Sequence, residues 1–497
     1  MKKTMFNRFL AAAMLALVCG FVPALAQKPD PQQLVELRRL RDELKATDSL
    51  RTADAVVVIN ERALAEAAQQ FVGLEIKLSN GNLVKLTSID SRLMTGAAII
   101  KLGLQYKSVN LQLTGRIASG QISDGQMRMP IRVTEVKLLN GGVSGLLVKT
   151  MFGEWLKPDK WNEELPSLDL PLELTEEMEI PATQFATGNS GNNANGNEAQ
   201  SLPVEISTPA YRVPLKLLLT SLVVLDKRVV LALQINSATP ITIPVVEPVA
   251  NSVDVLALEN EIFQLGAWLT TDNDVRLRLG RNVLGSLLAN IAGQQNPDMN
   301  FKLKQGRIRT NEISAGISIT NYTDVESGEG QADISELKVE TIADNRINVR
   351  MSGQGIVDAR VKGKEFGVPY GLSPRTNFNV KDQLVPLEFL SDNGKAIFRA
   401  VPGSVLPVNL RFTLNVAGKE IGVNRSEAVQ IDRWLNRVEL PALLNREILL
   451  PRKMEVDEGS NIHTTERKKL NYILSNLRVA TGNDAIEVFA DVKLSPP

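Results

Sequence analysis

Two copies of one short block decide the fold: Asp54-Ala-Val-Val-Val-Ile-Asn-Glu-Arg-Ala-Leu64 and Asp274-Val-Arg-Leu-Arg-Leu-Gly-Arg-Asn-Val-Leu284. They align without gaps, and the apolar pattern continues to Phe71 in the first copy and to Ile291 in the second. A short β-prone run followed by apolar residues at helical spacing predicts a strand and then a helix with one apolar face. The chain therefore carries the same strand and helix twice.

Further blocks recur in the same order and extend the match to two units. The last of them pairs Leu219-Thr-Ser-Leu-Val-Val224 with Leu474-Ser-Asn-Leu-Arg-Val479, each followed by a short turn and another apolar strand. We expect a first unit over 54–238 and a second over 273–497. A linker over 239–272 joins them, either as an extended segment or with an added strand. The Gly- and Asn-rich stretch 187–201 predicts a mobile loop within the first unit.

The interior of each unit is dominated by apolar residues that alternate with polar ones, which is typical of strands with one buried face. Turn sequences such as Asn140-Gly141 and Asn393-Gly394 favour antiparallel hairpins over parallel crossovers. Helical spacing is confined to the ends of the units. The predicted fold class is α+β, with two tandem related units, each an extended antiparallel β-sheet packed on or wrapped around helices.

The first 26 residues read as a secretory signal peptide, with a basic start, an apolar run over 9–22 and small residues at Ala24 and Ala26. Cleavage after Ala26 predicts an exported protein, in the periplasm or outside the cell. The alternatives are an uncleaved anchor, whose apolar run is shorter than the roughly 20 residues that span a bilayer, and lipid attachment at Cys19. Residues 27–53 predict an amphipathic helix that packs on the body of the protein or docks an envelope partner.

Charge and composition exclude several function classes. The 56 basic and 56 acidic residues balance, and no basic stripe stands out, so a nucleic-acid partner is not expected. No apolar run beyond the signal peptide approaches membrane-spanning length, and the single cysteine lies within that peptide. We expect a mature protein with no transmembrane segment and no disulfide, stabilised by the burial of apolar residues.

No sequence motif indicates catalysis, a metal or a cofactor. His463 is the only histidine and lies in a polar stretch, and Ser335-Glu-Leu-Lys338 has the Ser-x-x-Lys spacing of penicillin-binding enzymes without their companion motifs. We therefore predict no catalytic residues, no metal ligands, no cofactor and no enzymatic activity.

The order of strand, helix, antiparallel strands, second helix and closing strands, repeated in tandem, resembles the tubular lipid-binding superfamily, which includes the bactericidal/permeability-increasing family. The resemblance is carried by Val58-Ile-Asn-Glu-Arg-Ala-Leu64 and by Leu474-Ser-Asn-Leu-Arg-Val479. It implies a curved sheet around a helix, with lipid held in the groove. The lining residues that it implies are Leu64, Phe71, Leu284 and Ile291.

Three functions follow from these observations. The first is an exported, non-enzymatic protein that binds or shuttles lipid or another hydrophobic ligand in the cell envelope. The second is an envelope structural or assembly module that binds other proteins without a small ligand. The third, a hydrolase of unusual type, would depend on His463 or Ser335.

Overall fold

The computed structural model describes most of the chain after residue 30. The described residues are 31–45, 50, 53–77, 81, 83–106, 109–123, 126–139, 153, 156–164, 167–180, 183–186, 204–208, 211–235, 255–294, 299–303, 305–314, 317–365, 368–372, 375–392, 395–416, 419–433, 438–439, 446–456, 462–482 and 484–495. The predicted signal peptide 1–26 and the predicted loop 187–201 lie outside them. Among the described residues, no helix has the length and hydropathy needed to cross a bilayer.

Five α-helices and two 3₁₀ turns lie within these residues. The helices are α1 Pro31–Lys45, α2 Glu61–Gln69, α3 Pro158–Glu164, α4 Val255–Leu265 and α5 Arg281–Gln294; the 3₁₀ turns are Ala267–Leu269 and Ile431–Arg433.

Strands are numbered along the chain, and fifteen of them form a first sheet. Its members are β1 Ala55–Asn60, β2 Glu75–Lys77, β3 Leu83–Met94, β4 Ala97–Tyr106, β5 Val109–Ala118, β6 Gln121–Ser123, β7 Gln126–Leu138, β8 Ser167–Pro171, β9 Glu173–Ile180, β12 Tyr211–Leu225, β13 Arg228–Ile235, β14 Val275–Gly280, β25 Arg446–Val456, β26 Ile462–Gly482 and β27 Ala485–Ser495. The order is β6-β7-β5-β4-β3-β2-β25-β26-β27-β14-β1-β13-β12-β9, with β8 beside β7. All pairs are antiparallel except β2 with β25.

The second sheet has twelve strands. They are β10 Thr183–Ala186, β11 Val204–Thr208, β15 Met299–Leu303, β16 Gly306–Ser314, β17 Ile317–Ala343, β18 Arg346–Glu365, β19 Val368–Leu372, β20 Arg375–Asp392, β21 Lys395–Ala400, β22 Val405–Val416, β23 Lys419–Gln430 and β24 Val438–Glu439. The hairpin of β10 and β11 belongs to the first half of the chain, yet it pairs with β15 of the second half. The two halves are therefore joined in this sheet.

The predicted α+β class is wrong, because the chain is mostly β and strands far outnumber helices in its described part. The prediction also gave each unit its own sheet, whereas each of the two sheets contains strands from both halves of the chain. Several segments that alternate in sequence are parts of single long strands, such as the 27 residues of β17. Residues 255–265, within the predicted linker, form helix α4.

The repeated block forms a strand followed by a helix in both copies, as its sequence predicts, and the two strands pair with each other. β1 and β14 run antiparallel with Val57 opposite Leu277, which are also equivalent positions of the repeat. A local two-fold axis therefore passes between these residues. β13 and β27 flank the pair on either side in matching register.

The first residue of each block makes the same contact on both sides of this axis. Asp54 Oδ2 accepts the Ile235 N–H at 2.9 Å, and Asp274 Oδ2 accepts the Val492 N–H at 3.0 Å. Each aspartate thus joins the start of the central strand to its outer neighbour. The repeated aspartate is explained by this bond.

The continuous apolar run of β1 reflects its position between two cores. Val56 and Val58 belong to one buried cluster with α1, while Val57 and Ile59 pack against another on the opposite face. A strand covered on both faces needs apolar residues at every position. At its end the Asn60 side chain accepts the Arg62 N–H at 3.2 Å and begins helix α2.

Helix α1 occupies part of the predicted helical region 27–53 and packs on the body of the chain. Leu37, Leu40 and Leu44 are buried in the cluster that also contains Leu258 and Ile262 of helix α4. The leucine stripe is therefore covered by this chain itself. An envelope partner of α1 would have to bind its other side.

Candidate functional site

The four residues predicted to line a ligand groove lie in separate places. Leu64 on α2 is 1% exposed in a cluster with Leu93, Ile100 and Leu222. Phe71, just beyond α2, is also 1% exposed but belongs to a different cluster. Both side chains are closed off from solvent by the cores that they complete.

The two predicted lining residues of the second unit are on helix α5. Leu284 is half-buried and packs at the border of a third cluster, which lies between the second sheet and strands β26 and β27. Ile291 lies on the same helix, and its side chain is outside the part of the chain that the structure describes. The described side chains Leu64, Phe71 and Leu284 thus belong to three different clusters, and the structure does not bring them together.

A partly exposed apolar face is found instead where the second sheet continues beyond the third cluster. Ile347 and Val349 of β18 are buried in that cluster, whereas later residues of the same face are only half-buried. We call this part the sheet extension and define it as 325–334 of β17, 353–364 of β18 and 375–379 of β20. It contains strands that hydrogen-bond side by side in antiparallel register.

The two faces of the sheet extension differ sharply in chemistry, because successive residues of a strand point to opposite sides. The inner face continues the side of the third cluster and consists of small or apolar residues and one buried threonine: Gly328, Gly330, Ala332, Gly355, Val357, Ala359, Val361, Thr376 and Phe378. The outer face is exposed and comprises Glu329, Gln331, Gln354, Ile356, Asp358, Arg360, Lys362, Arg375 and Asn377.

Small residues make a shallow trough on the inner face. Gly328, Gly330 and Ala332 follow one another along β17 on this side, and no side chain larger than valine stands opposite them on β18. At about 3.3 Å per residue the trough runs for roughly 13 Å. On its other side β15 pairs Phe301 with Gly330 in the backbone register.

Phe378 closes one end of the trough by packing on Gly355. A Cβ atom at position 355 would lie 2.3 Å from Phe378 Cζ and 2.4 Å from the Gln331 carbonyl oxygen. Such distances are far below van der Waals contact, so only glycine fits beneath the ring. This pairing of an aromatic residue with a strand glycine fixes the ring on the inner face.

Irregularities along β17 bend the second sheet, and one of them lies within the sheet extension. The register with β18 shifts between Val325 and Ser327, between Ile334 and Glu336, and between Val339 and Thr341. Each extra residue is a β-bulge, which bends its strand and increases the local right-handed twist. Three bulges within one strand of this length curve the sheet, and β18 itself stays regular, so the inner and outer faces remain distinct.

Ion pairs cover the outer face. Lys362 Nζ lies 2.5 Å from Glu326 Oε1, and Arg375 Nε lies 3.9 Å from Asp358 Oδ1. Nearer the third cluster, Arg350 donates a hydrogen bond of 2.8 Å to Glu340 and lowers the pKa of that carboxyl. Exposed pairs such as these contribute little to stability. They keep the outer face hydrated and leave the inner face as the apolar side.

The residues weighed as catalytic are not assembled into a site. Ser335 is exposed at a bulge of β17, and Lys338 Nζ lies 3.7 Å from Glu340 rather than near a serine. His463 stands in β26 opposite Glu455. In the described part of the chain, no group of three or more His, Cys, Asp or Glu is placed to hold a metal ion.

The sheet extension is unusual in sequence because glycine and alanine take the places that apolar side chains normally occupy in a strand. Gly328-x-Gly330-x-Ala332 and Gly353-x-Gly355 alternate with polar residues in the pattern of a strand. Glycine is unfavourable inside strands and often marks a close approach of another group. In β18 the close neighbours belong to this chain: a Cβ atom at Gly353 would lie 2.8 Å from the Asp333 carbonyl oxygen, and one at Gly355 would meet Phe378.

Comparisons with known proteins do not identify the chain. No family model matches it, and no curated protein matches it. Among solved structures, the crystal structure of a lipopolysaccharide binding protein is similar with a TM-score of 0.23 and 9% sequence identity, over 89% of this chain and 99% of that one. A likeness at this TM-score supports no conclusion about fold or function, so membership of the tubular lipid-binding superfamily stays a prediction.

Proposed function

We propose that this protein is exported and, without catalysing a reaction, binds a hydrophobic ligand of the lipid class on the inner face of the sheet extension. The observation that carries the proposal is the contrast between a half-buried apolar face with a trough of glycine and alanine and an outer face of charged residues. The proposal includes removal of residues 1–26, Gln27 as the mature N-terminus and a location in the periplasm or outside the cell.

An acyl chain suits this face for physical reasons. It is narrow and apolar, and its burial is favourable by about 25 cal/mol for each Å² removed from water. The trough has no polar side chain at Gly328, Gly330, Ala332 or Val357 that would lose a hydrogen bond to water when covered. The closed cores around Leu64 and Phe71 have no comparable exposed surface.

A pair of adjacent substitutions tests the proposal. Val357→Asp places a carboxylate on the inner face, and Ile356→Asp makes a closely similar change on the outer face, where Ile356 is already 38% exposed. Because an unpaired charge against an acyl chain is strongly unfavourable, we expect Val357→Asp to raise the dissociation constant of a fluorescent fatty acid at least about tenfold. Ile356→Asp should leave it within about twofold, since its carboxylate stays in water.

The fatty-acid affinities of the two variants are compared only after circular dichroism shows that both are folded. Equal affinity of Val357→Asp and the unaltered protein would exclude the inner face as the binding surface. An equal loss in both folded variants would contradict the proposal, because the effect would then not be specific to the inner face.

A second candidate is an envelope assembly module without a small ligand. It is supported by the placement of Leu64 and Phe71 in closed cores rather than along a groove. Organic extraction of the purified protein, followed by mass spectrometry, separates the two functions. Stoichiometric lipid supports ligand binding, whereas no lipid and no uptake of the fluorescent fatty acid would leave the assembly role.

A further inference from the structure

Strand β23 lies at an edge of the second sheet as far as the described strands show. Its residues Lys419–Gln430 pair along their whole length with β22, and no other described strand lies on its second side. A strand in this position presents a row of unpaired backbone N–H and C=O groups, which can accept a further strand. At 12 residues, β23 is long enough to accept a full partner strand along this side.

The sequence of β23 is complementary to itself in the antiparallel direction. Val423, Arg425, Glu427 and Val429 occupy alternate positions on one face of the strand. If a second copy pairs about a two-fold axis at Ser426, Val423 stands opposite Val429 and Arg425 stands opposite Glu427. Each of these pairs forms twice, because the axis repeats it.

Neighbouring registers are unfavourable. A two-fold axis perpendicular to the sheet keeps each residue on its own face, so the register changes in steps of two residues. A step one way places the axis at Arg425, with arginine opposite arginine, and a step the other way places it at Glu427, with glutamate opposite glutamate. Like charges directly opposite each other destabilise strand pairing. Among these three registers, the one centred on Ser426 is the one that matches apolar residues with apolar residues and opposite charges with each other.

We propose that the free edge of β23 is a dimer interface, in which it pairs antiparallel with β23 of a second copy of this chain about an axis at Ser426. The interface is isologous, as expected for the commonest class of homo-oligomer. It makes the second sheets of the two copies continuous through β22 and β23. This assembly goes beyond the proposed ligand binding and does not depend on it.

A charge exchange tests the register. Arg425→Glu and Glu427→Arg each place like charges opposite each other twice, whereas the double variant restores both opposite-charge pairs. From the size of cross-strand pair energies we expect each single variant to weaken dimerisation about tenfold or more. The double variant should return to the affinity of the unaltered chain, measured by sedimentation velocity over a range of protein concentrations.

A cross-link tests the axis without changing any charge. In a chain that also carries Cys19→Ala, Ser426→Cys places two thiols opposite each other, and a short bis-maleimide should join them into a covalent dimer. The matched control is Ser335→Cys, an exposed serine of β17 away from the edge. The proposal is overturned if the unaltered chain stays monomeric at about the highest soluble concentration, if the double exchange does not restore the dimer, or if Ser426→Cys cross-links no faster than Ser335→Cys.

Discussion

Substitution of Leu40 by alanine is expected to lower the free energy of unfolding by about 3 kcal/mol, because it removes a fully buried side chain and leaves a cavity. Leu40 is 0% exposed and lies in the cluster shared by α1, β1 and α4. Urea unfolding of the mature chain measures the change. The matched control is Val35→Ala on the same helix, where the side chain is 40% exposed and the expected change is within about 0.5 kcal/mol.

Polar contacts also hold α1 on the body of the protein, so we expect the helix to unfold together with it. The Arg39 guanidinium donates to the Gly120 carbonyl at 2.9 Å, and Arg116 lies 2.6 Å from Glu36. The Glu43 carboxyl contacts the Ser221 hydroxyl, and burial raises the pKa of Glu43. We therefore expect Leu40→Ala to shift the main urea-unfolding transition of the whole protein to a lower urea concentration. Release of α1 with an unchanged main transition would show that the helix is only loosely attached.

Asp274→Ala is expected to lower the free energy of unfolding by about 2–3 kcal/mol. Hydrogen bonds to a charged group contribute about 1.5–3 kcal/mol to stability. Asp274 is 3% exposed; it accepts the Val492 N–H, and its other oxygen accepts a bond of 2.7 Å from Arg62. Arg62 is largely exposed, so the loss comes mainly from the Val492 bond. The shift of the urea midpoint gives the measurement.

The repeat supplies the control for this prediction. Asp54→Ala removes the equivalent bond to Ile235, and the Arg62 contact on Asp274 is untouched, so we expect a smaller loss of about 1–2 kcal/mol. Asp274→Asn keeps an acceptor for the Val492 N–H and should recover part of the stability. Equal stability of Asp274→Ala and the unaltered chain would contradict the role given to the repeated aspartates.

The repeated block shows what the sequence could and could not predict about the fold. Its strand and helix follow from local patterning, and both copies form them. That β1 and β14 would pair with each other is not a local property, since 220 residues separate Asp54 from Asp274 and many registers are open. The α+β prediction failed because it gave the helical spacing at the ends of the units too much weight, whereas long strands such as the 27-residue β17 make up most of the described chain.

The candidate site was predicted less well than the repeated block, because an apolar pattern does not distinguish a core residue from a groove residue. Leu64 and Phe71 are apolar on one helical face, and a core and a ligand groove both produce that pattern. Gly355 carries a more specific signal, because it is required by Phe378, which packs at the border of the third cluster and lies 23 residues further along the chain. Contacts of this kind depend on strand register, which the sequence does not specify.

Photolabelling tests the central claim most directly. The mature protein is irradiated with a fatty acid that carries a diazirine near its methyl end, with and without excess unlabelled fatty acid, and labelled peptides are identified by mass spectrometry. We predict competable labelling within 325–334 and 353–364, lost in Val357→Asp and kept in Ile356→Asp. Competable labelling confined to other segments, or none at all, would contradict ligand binding on the inner face of the sheet extension.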